Sequence, residues 1–220
     1  QLGFKPDRVT FLNVVKACSI IVALEWGRLL HDQIVRCGYV DELSIGNALI
    51  DMYSKCGSLD DACTVFENMP TRGVITWSAM LAGYAMHNEY DIVLQCFEDM
   101  QKIGLKPNHV TFLSLLSACG QKGLIDKAYD YFYSMKAGYG IKPATEHYNC
   151  MIDLLGRAGR VDEAEYLLLT MPYRNKFVSW KSLLSHSKIY RNVQLGRRCF
   201  DHLIAIDSAD ASLYALMSDI

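Results

Sequence analysis

The amino-acid sequence predicts an all-α protein, an α-solenoid of stacked helix-turn-helix units. Three observations lead there. The stretch "LIDMYSKCGSLDDACTVFENMP" (Leu49 to Pro70) is echoed by "MIDLLGRAGRVDEAEYLLLTMP" (Met151 to Pro172). Windows of 24 residues beginning at Phe11, Gly46, Trp77, Phe112, Tyr148 and Trp180 align without gaps. Within each window the apolar residues recur at helical spacing, as in Met80, Leu81 and Tyr84. Self-similarity with a period in this range is the signature of a repeat array.

Each window reads as two helices. In the first, the fourth column is apolar throughout (Val14, Leu49, Met80, Leu115, Met151, Leu183), and so is the fifth (Val15, Ile50, Leu81, Leu116, Ile152, Leu184). A mid-window glycine (Gly57, Gly123, Gly159) then supplies the left-handed backbone that ends a helix. The second helix opens on acidic text, "SLDDA" and "RVDEA", where negative charge suits a helix N-terminus. Its seventeenth column is small or slim (Gly27, Ala62, Val93, Ala128, Ala164, Gly196), which lets two helices approach closely. Lys-Pro or Met-Pro closes the unit, since proline is excluded from helix interiors. One such hairpin cannot bury its apolar face alone, so neighbours must stack.

The windows begin 35, 31, 35, 36 and 32 residues apart. That alternation departs from the roughly 34-residue period of tetratricopeptide arrays. The expected units are 8–42, 43–73, 74–108, 109–144, 145–176 and 177–210. Residues 1–7, "QLGFKPD", match "KIGLKPN" (Lys102 to Asn108) and read as the tail of a preceding unit; 211–220 read as the start of a further one. The chain is expected to be a segment of a longer array.

Composition narrows the function classes. With 220 residues and 51% hydrophobic content, the chain can bury a large core, and no run of eighteen apolar residues offers a membrane span. The opening residues lack the pattern of a targeting peptide. A formal charge of −2 is not the footprint of a general nucleic-acid binder, so any anion-binding surface must be local. Eight cysteines are scattered singly with no C-x-x-C, as buried, reduced thiols are, rather than zinc ligands. The glycines of "AGYGIKP" (Ala137 to Pro143) lack the strand and Lys-Ser/Thr of a phosphate loop. No Ser-His-Asp or paired-carboxylate arrangement stands out. The expectation is a chain with no catalytic residues, metal, cofactor, membrane segment or small-molecule substrate.

The phrases "GNALIDMYSKCGSLDDA" (from Gly46), "VTFLSLLSACGQKGL" (from Val110) and "EHYNCMIDLLGRAGRVDEA" (from Glu146) resemble pentatricopeptide repeats (PPR). The resemblance is to the plant organellar class that alternates long, short and standard repeats. In that class's terms 8–42 and 109–144 are long, 43–73 and 145–176 short, and 74–108 standard. From "VSWKSLL" (Val178) onward the text resembles the class's C-terminal E-type extension, although "LYALMSDI" fits it only loosely. The resemblance implies a right-handed superhelix that binds single-stranded RNA, one base per repeat.

The second window column holds Leu12, Asn47, Ser78, Leu113, Asn149 and Lys181. An amide or hydroxyl there reads a Watson–Crick edge if it faces the groove; otherwise it is a capping oxygen at a helix start. By analogy with the family, specificity comes from this residue paired with the last residue of its repeat. The pairs are Leu12 with Glu42, Asn47 with Gly73, Ser78 with Asn108, Leu113 with Ala144, Asn149 with Lys176, and Lys181 with Asp210. Ser78 with Asn108 is similar to the combination that selects adenine, and Asn47 and Asn149 lean towards pyrimidines. The leucines offer no hydrogen bond and are expected to be spacers. Ile75 and Val110 match the position whose aliphatic side chains sandwich a base; ordinary helix packing is the alternative.

No Asp or Glu occurs from Tyr166 to Phe200, but Arg174, Lys176, Lys181, Lys188, Arg191, Arg197 and Arg198 do. Such a run favours a polyanion, by counterion release, or an acidic partner, if it is not simply a solvated face. Lys181, Lys188 and Arg191 therefore join the expected RNA-binding residues.

Family members of this type act in C-to-U editing, and some carry a deaminase domain whose zinc chemistry needs H-x-E and C-x-x-C. Neither motif is in this sequence. The expectation is a non-catalytic RNA-recognition module of an editing factor in mitochondrion or chloroplast. Deamination would be supplied by a downstream domain or partner, with editing accessory proteins as further partners. The alternatives are a role in organellar splicing or transcript stabilisation, and a protein-binding helical scaffold.

Overall fold

The structure, a computed structural model, describes residues 6–173, 176–207 and 210–218. Arg174, the first five residues of the expected leading tail and 219–220 lie outside them. Every regular element among the described residues is a helix. They run α1 (Arg8–Ile21), α2 (Leu24–Arg36), α3 (Leu43–Lys55), α4 (Leu59–Asn68), α5 (Val74–Met86), α6 (Tyr90–Lys102), α7 (His109–Lys122), α8 (Ile125–Ala137), α9 (Thr145–Arg157), α10 (Val161–Thr170), α11 (Phe177–Ile189), α12 (Val193–Ile206) and α13 (Ala211–Ser218). Two compact units, 1–115 and 116–220, divide the chain.

Each unit follows the same packing rule. In the first, α1, α3 and α5 pack side by side, while α2 and α4 each bridge their own first helix and the next. In the second, α9, α11 and α13 form the row, with α10 and α12 bridging in the same way. The apolar columns of the sequence are what fills these rows. Leu49, Ile50, Met80 and Leu81 are fully buried in the first unit, as are Met151, Ile152, Leu183 and Leu184 in the second. The small column sits where helices meet: Ala62, Val93, Ala128 and Ala164 are wholly buried. At Gly27 an added Cβ would come within 2.3 Å of the Met52 sulfur, so even a methyl displaces the neighbouring helix's side chain.

Val14 is the exception in its column. It is 42% exposed, whereas its counterparts are buried, because α1 has neighbours only on the α3 side among the described residues.

One turn geometry recurs six times. Val22, Gly57, Asn88, Gly123, Gly159 and Arg191 occupy the same window position, and all have positive φ, from 51° at Arg191 to 82° at Gly57. The sequence marks only the three glycines; the structure extends the requirement to three residues with side chains. For a β-branched residue the left-handed region carries a steric penalty of about 1–2 kcal/mol. Val22 is mostly exposed, so little packing offsets that penalty. Replacing it by glycine (Val22→Gly) is expected to raise the unfolding free energy by about 1 kcal/mol in urea denaturation. Gly57→Val, with open space around it, should lower it by about 1–2 kcal/mol. A destabilised Val22→Gly protein would contradict this reading.

Candidate nucleic-acid interface

The six residues of the second window column fall on one position of the fold. Leu12, Asn47, Ser78, Leu113, Asn149 and Lys181 are each the fifth residue of α1, α3, α5, α7, α9 and α11. Their expected partners Glu42, Gly73, Asn108, Ala144, Lys176 and Asp210 each immediately precede the first helix of the next hairpin. The expected partner thus also occupies the cap position of the following helix.

The third helical residue completes the cap. Thr10 donates its backbone N–H and hydroxyl to Asp7 Oδ1 (2.8 and 2.6 Å). At α5 the direction reverses, the Gly73 N–H donating to the Thr76 hydroxyl (3.3 Å), and at α7 the Asn108 N–H likewise donates to the Thr111 hydroxyl (3.2 Å) beside bonds in the α1 direction. At α9 the Ala144 N–H donates to His147 Nδ1 (3.0 Å), so this histidine, isolated in the sequence, is a capping group. A polar residue here satisfies a backbone donor that the helix leaves without a partner.

Ser78 and Asn108 meet directly. Ser78 Oγ donates to Asn108 Oδ1 at 3.1 Å and lies 2.9 Å from the Thr111 hydroxyl. Asn108 Oδ1 also accepts from the Thr111 N–H (3.0 Å) and hydroxyl (3.2 Å). These bonds saturate the carbonyl end of the amide and fix its orientation, so the Nδ2 donors are the groups left to meet a ligand. Ser78 itself is only 2% exposed. Its hydroxyl does not face solvent as a reader would; it is turned onto Asn108 and the Thr111 hydroxyl. That orienting bond is not visible in the sequence, where only the pairing of the two positions can be read.

Asn149 is held similarly by the next hairpin, with Ser179 Oγ donating to its Oδ1 at 2.5 Å. Lys176 does not join it. The ammonium donates instead to the Leu168 and Leu169 carbonyls (2.8 and 3.1 Å), stabilising the C-terminus of α10. Asn47 Oδ1 is buried without a hydrogen-bond partner, a costly arrangement for an amide. Leu113 and Leu12 are half-buried and add no polar group.

The base-sandwiching candidates sit second in their helices. Ile75 is 66% exposed and Val110 half-buried, so neither is a core residue. Val178, at the same position of α11, is 64% exposed and was not singled out from the sequence. It lines a cavity of about 190 Å³ with Asn149, Asp153, Ser179 and Ser182. Asp153 is the further residue that sequence reasoning missed; the signal was its place one turn after Asn149, on the same helix face. Arg157, one turn further, pairs with Asp153, and Lys55 pairs with Asp51 (2.8 Å) in the equivalent place on α3.

The basic run is less free than its sequence suggests. Arg198 makes a bidentate pair with Glu165 (2.8 and 2.7 Å). Lys181 donates to Asp210 Oδ2 (3.1 Å) and to the Ser212 hydroxyl (2.8 Å). Those two groups hold the Asp210 carboxyl below the usual range, Ser212 contributing most. Arg191 and Arg197 remain exposed, while Lys188 is half-buried. Acids just outside the run, in sequence but not in space, account for the difference.

No group of three potential metal ligands comes together among the described residues. Burial pushes the Cys96 and Cys199 thiols up to about 12 and Cys119 and Cys150 up to about 11, which makes them poor thiolates. No helix among the described residues is long and apolar enough to cross a membrane.

Family models agree with this repeated geometry. The PPR repeat family model matches residues 72–121, and two PPR repeat models match 139–172 and both 47–74 and 110–138. The chain belongs to the pentatricopeptide repeat family. A mitochondrial PPR-containing protein of Arabidopsis thaliana is 44% identical over all of this chain and 35% of its own length. A chloroplastic one from the same plant is 37% identical over all of this chain and 25% of its own length. The chain therefore spans about a quarter to a third of these relatives. Among solved structures, maize PPR10 in complex with an 18-nt psaJ RNA element superposes with a TM-score of 0.68 at 17% identity, over 98% of this chain and 37% of that one. The PPR domain of Arabidopsis protein-only RNase P 1, in complex with tRNA, gives 0.63 at 19% identity, over 77% and 93%. At these identities the likeness concerns the PPR fold.

The cap that unites Ser78, Asn108 and Thr111 has a stability signature. Thr111→Val keeps the volume but removes the hydroxyl, and is expected to cost about 1–2 kcal/mol in chemical denaturation. A neutral substitution would mean that the hydroxyl cluster does not hold the helix start.

Proposed function

We propose that the chain is a sequence-specific single-stranded RNA-binding module of an organellar RNA-processing factor. Its repeats are 8–42, 43–73, 74–108, 109–144, 145–176 and the E-type motif 177–210. The observation that carries the reading is the Asn108 amide, whose oxygen is locked by Ser78 and Thr111 while its Nδ2 donors take part in none of these bonds. The exposed aliphatic Ile75 and the half-buried Val110 lie at the second positions of the two helices that supply this cluster. Adenine offers an acceptor, N1, on its Watson–Crick edge to such a donor, and an aliphatic pair accommodates any base face. Ser78 is the positioning residue and Asn108 the reading residue.

The RNA held by maize PPR10 and by the RNase P domain supports the ligand class, and the mitochondrial and chloroplastic relatives support an organellar location. Alternation of short and long repeats supports an editing factor, in which this segment selects a site for C-to-U conversion. The chain contributes recognition; deamination is supplied by a downstream domain or a partner, with accessory proteins completing the assembly.

Asn47 and Asn149 read further bases, and the leucines at Leu12 and Leu113 act as spacers. Arg191 and Arg197 are the backbone contacts of the basic end, with Lys188 beside them; Lys181 is neutralised by Asp210.

Two measurements follow. Asn108→Asp exchanges the amide donors for a carboxylate oxygen, which seeks an imino N–H instead of adenine N1. In binding assays on short single-stranded RNAs differing at one base, preference for adenine there should fall by roughly tenfold and shift towards guanine or uracil. Indifference of both proteins to that base would refute the assignment. Charge reversal at Arg191 and Arg197 should reduce the slope of log affinity against log salt by about 0.7 per lost contact. An unchanged slope would remove the basic end from the interface.

A further inference from the structure

A tyrosine-lined cavity lies on the second helices of two hairpins, α8 and α10. Tyr129 and Tyr133 on α8 and Tyr166 on α10 line a cavity of about 540 Å³, closed by Asp162, Glu163 and Leu167. The Tyr129 and Tyr133 rings stack with centroids 5.7 Å apart and planes 11° apart. Tyr133 and Tyr166 are 63% and 70% exposed, which leaves two large aromatic faces open beside a carboxylate.

One edge already displays the chemistry. The Arg160 guanidinium lies 6.0 Å from the Tyr129 ring centroid and is bound in bidentate fashion by Glu163 (2.5 and 2.6 Å). Glu163 also accepts from the Tyr129 hydroxyl at 3.3 Å. Arg160 neutralises Glu163 there, while Asp162 is exposed and makes neither a hydrogen bond nor an ion pair among the described residues. The open half of the cavity therefore combines the π faces of Tyr133 and Tyr166 with the Asp162 carboxylate, which no direct partner occupies although the Arg198 guanidinium lies within its field. Aromatic faces with an adjacent anion attract cations and repel phosphate, and none of the RNA-reading residues lines this cavity.

We propose that this cavity is a docking site for an arginine side chain of a protein partner. The planar guanidinium fits because it stacks on tyrosine and bonds a carboxylate in a fork, whereas an ammonium does only the second as a point charge. The inference is independent of the RNA reading: it uses other helices and the opposite sign of charge.

The test is an NMR titration of the chain, with its tyrosine rings isotopically labelled, using N-acetyl-arginine amide as probe. N-acetyl-citrulline amide, of the same shape without charge, is the control. Saturable shifts of the Tyr133 and Tyr166 ring signals with the arginine probe alone are expected. Asp162→Asn and Tyr166→Ala, both at exposed positions, should each weaken binding by about tenfold, read at Tyr133. Equal response to citrulline, no saturation, or full affinity in both variants would overturn the proposal. So would tighter binding of N-acetyl-lysine amide. Concentration-dependent dimerisation abolished by Asp162→Asn would overturn assignment to a separate partner, because the arginine would then come from a second copy.

Discussion

The Ser78 hydroxyl, on one hairpin, closes against Asn108 and Thr111 at the threshold of the next, and much of the molecule's logic depends on such contacts between successive first helices. Stacking buries the apolar columns, but apolar burial alone is non-directional and leaves the sliding of one helix over another undetermined. Polar bonds between fixed positions set the register. Ser179 to Asn149 and Lys181 to Asp210 serve the same purpose in the second unit, and Ser19 to Asp51 (3.1 Å) in the first. Because Asn108 and Asp210 each cap the helix that follows and receive the fifth side chain of the first helix before it, folding there fixes the orientation of these two side chains. Preorganisation of this kind lowers the ordering cost of binding.

The electrostatic picture follows from the same geometry. The chain's positive run is partly consumed by Glu165 and Asp210, and Lys176 is spent on the end of α10. What is left for a polyanion is a smaller set at the tip of the last hairpin turn, around Arg191, and along α12 at Arg197. On the proposed reading, recognition in the middle of the chain rests on neutral amides and hydroxyls rather than charge. That division suits a protein of net charge −2, in which affinity and specificity come from different groups.

Most of the helical architecture was legible in the sequence, because burial of columns such as Leu49/Met80/Met151/Leu183 demands the same residue class at each turn of the repeat. The turn glycines were legible at Gly57, Gly123 and Gly159, but the identical backbone at Val22, Asn88 and Arg191 was not, since no composition rule marks a strained side chain. The candidate positions were legible as a shared place in each hairpin, but of the expected pairs the hydrogen bonds join Ser78 to Asn108 and Lys181 to Asp210, and not Asn149 to Lys176. The site was not legible as roles: Ser78 reads as a surface hydroxyl until the packing of α5 against Thr111 is known. The threonines at Thr76 and Thr111 carry no distinguishing mark in the sequence and are the capping groups. The tyrosine cavity joins residues of two hairpins, Tyr133 and Tyr166, that linear spacing gives no reason to associate.

A double-mutant cycle on Ser78→Ala and Asn108→Ala tests the orienting bond most directly, with unfolding free energy as the readout. Neighbours that share a hydrogen-bond network show coupling of about 0.5–3 kcal/mol, and the two substitutions should be sub-additive within that range. Strict additivity would mean that the two side chains act independently, and that the reading amide is not held by the hairpin before it.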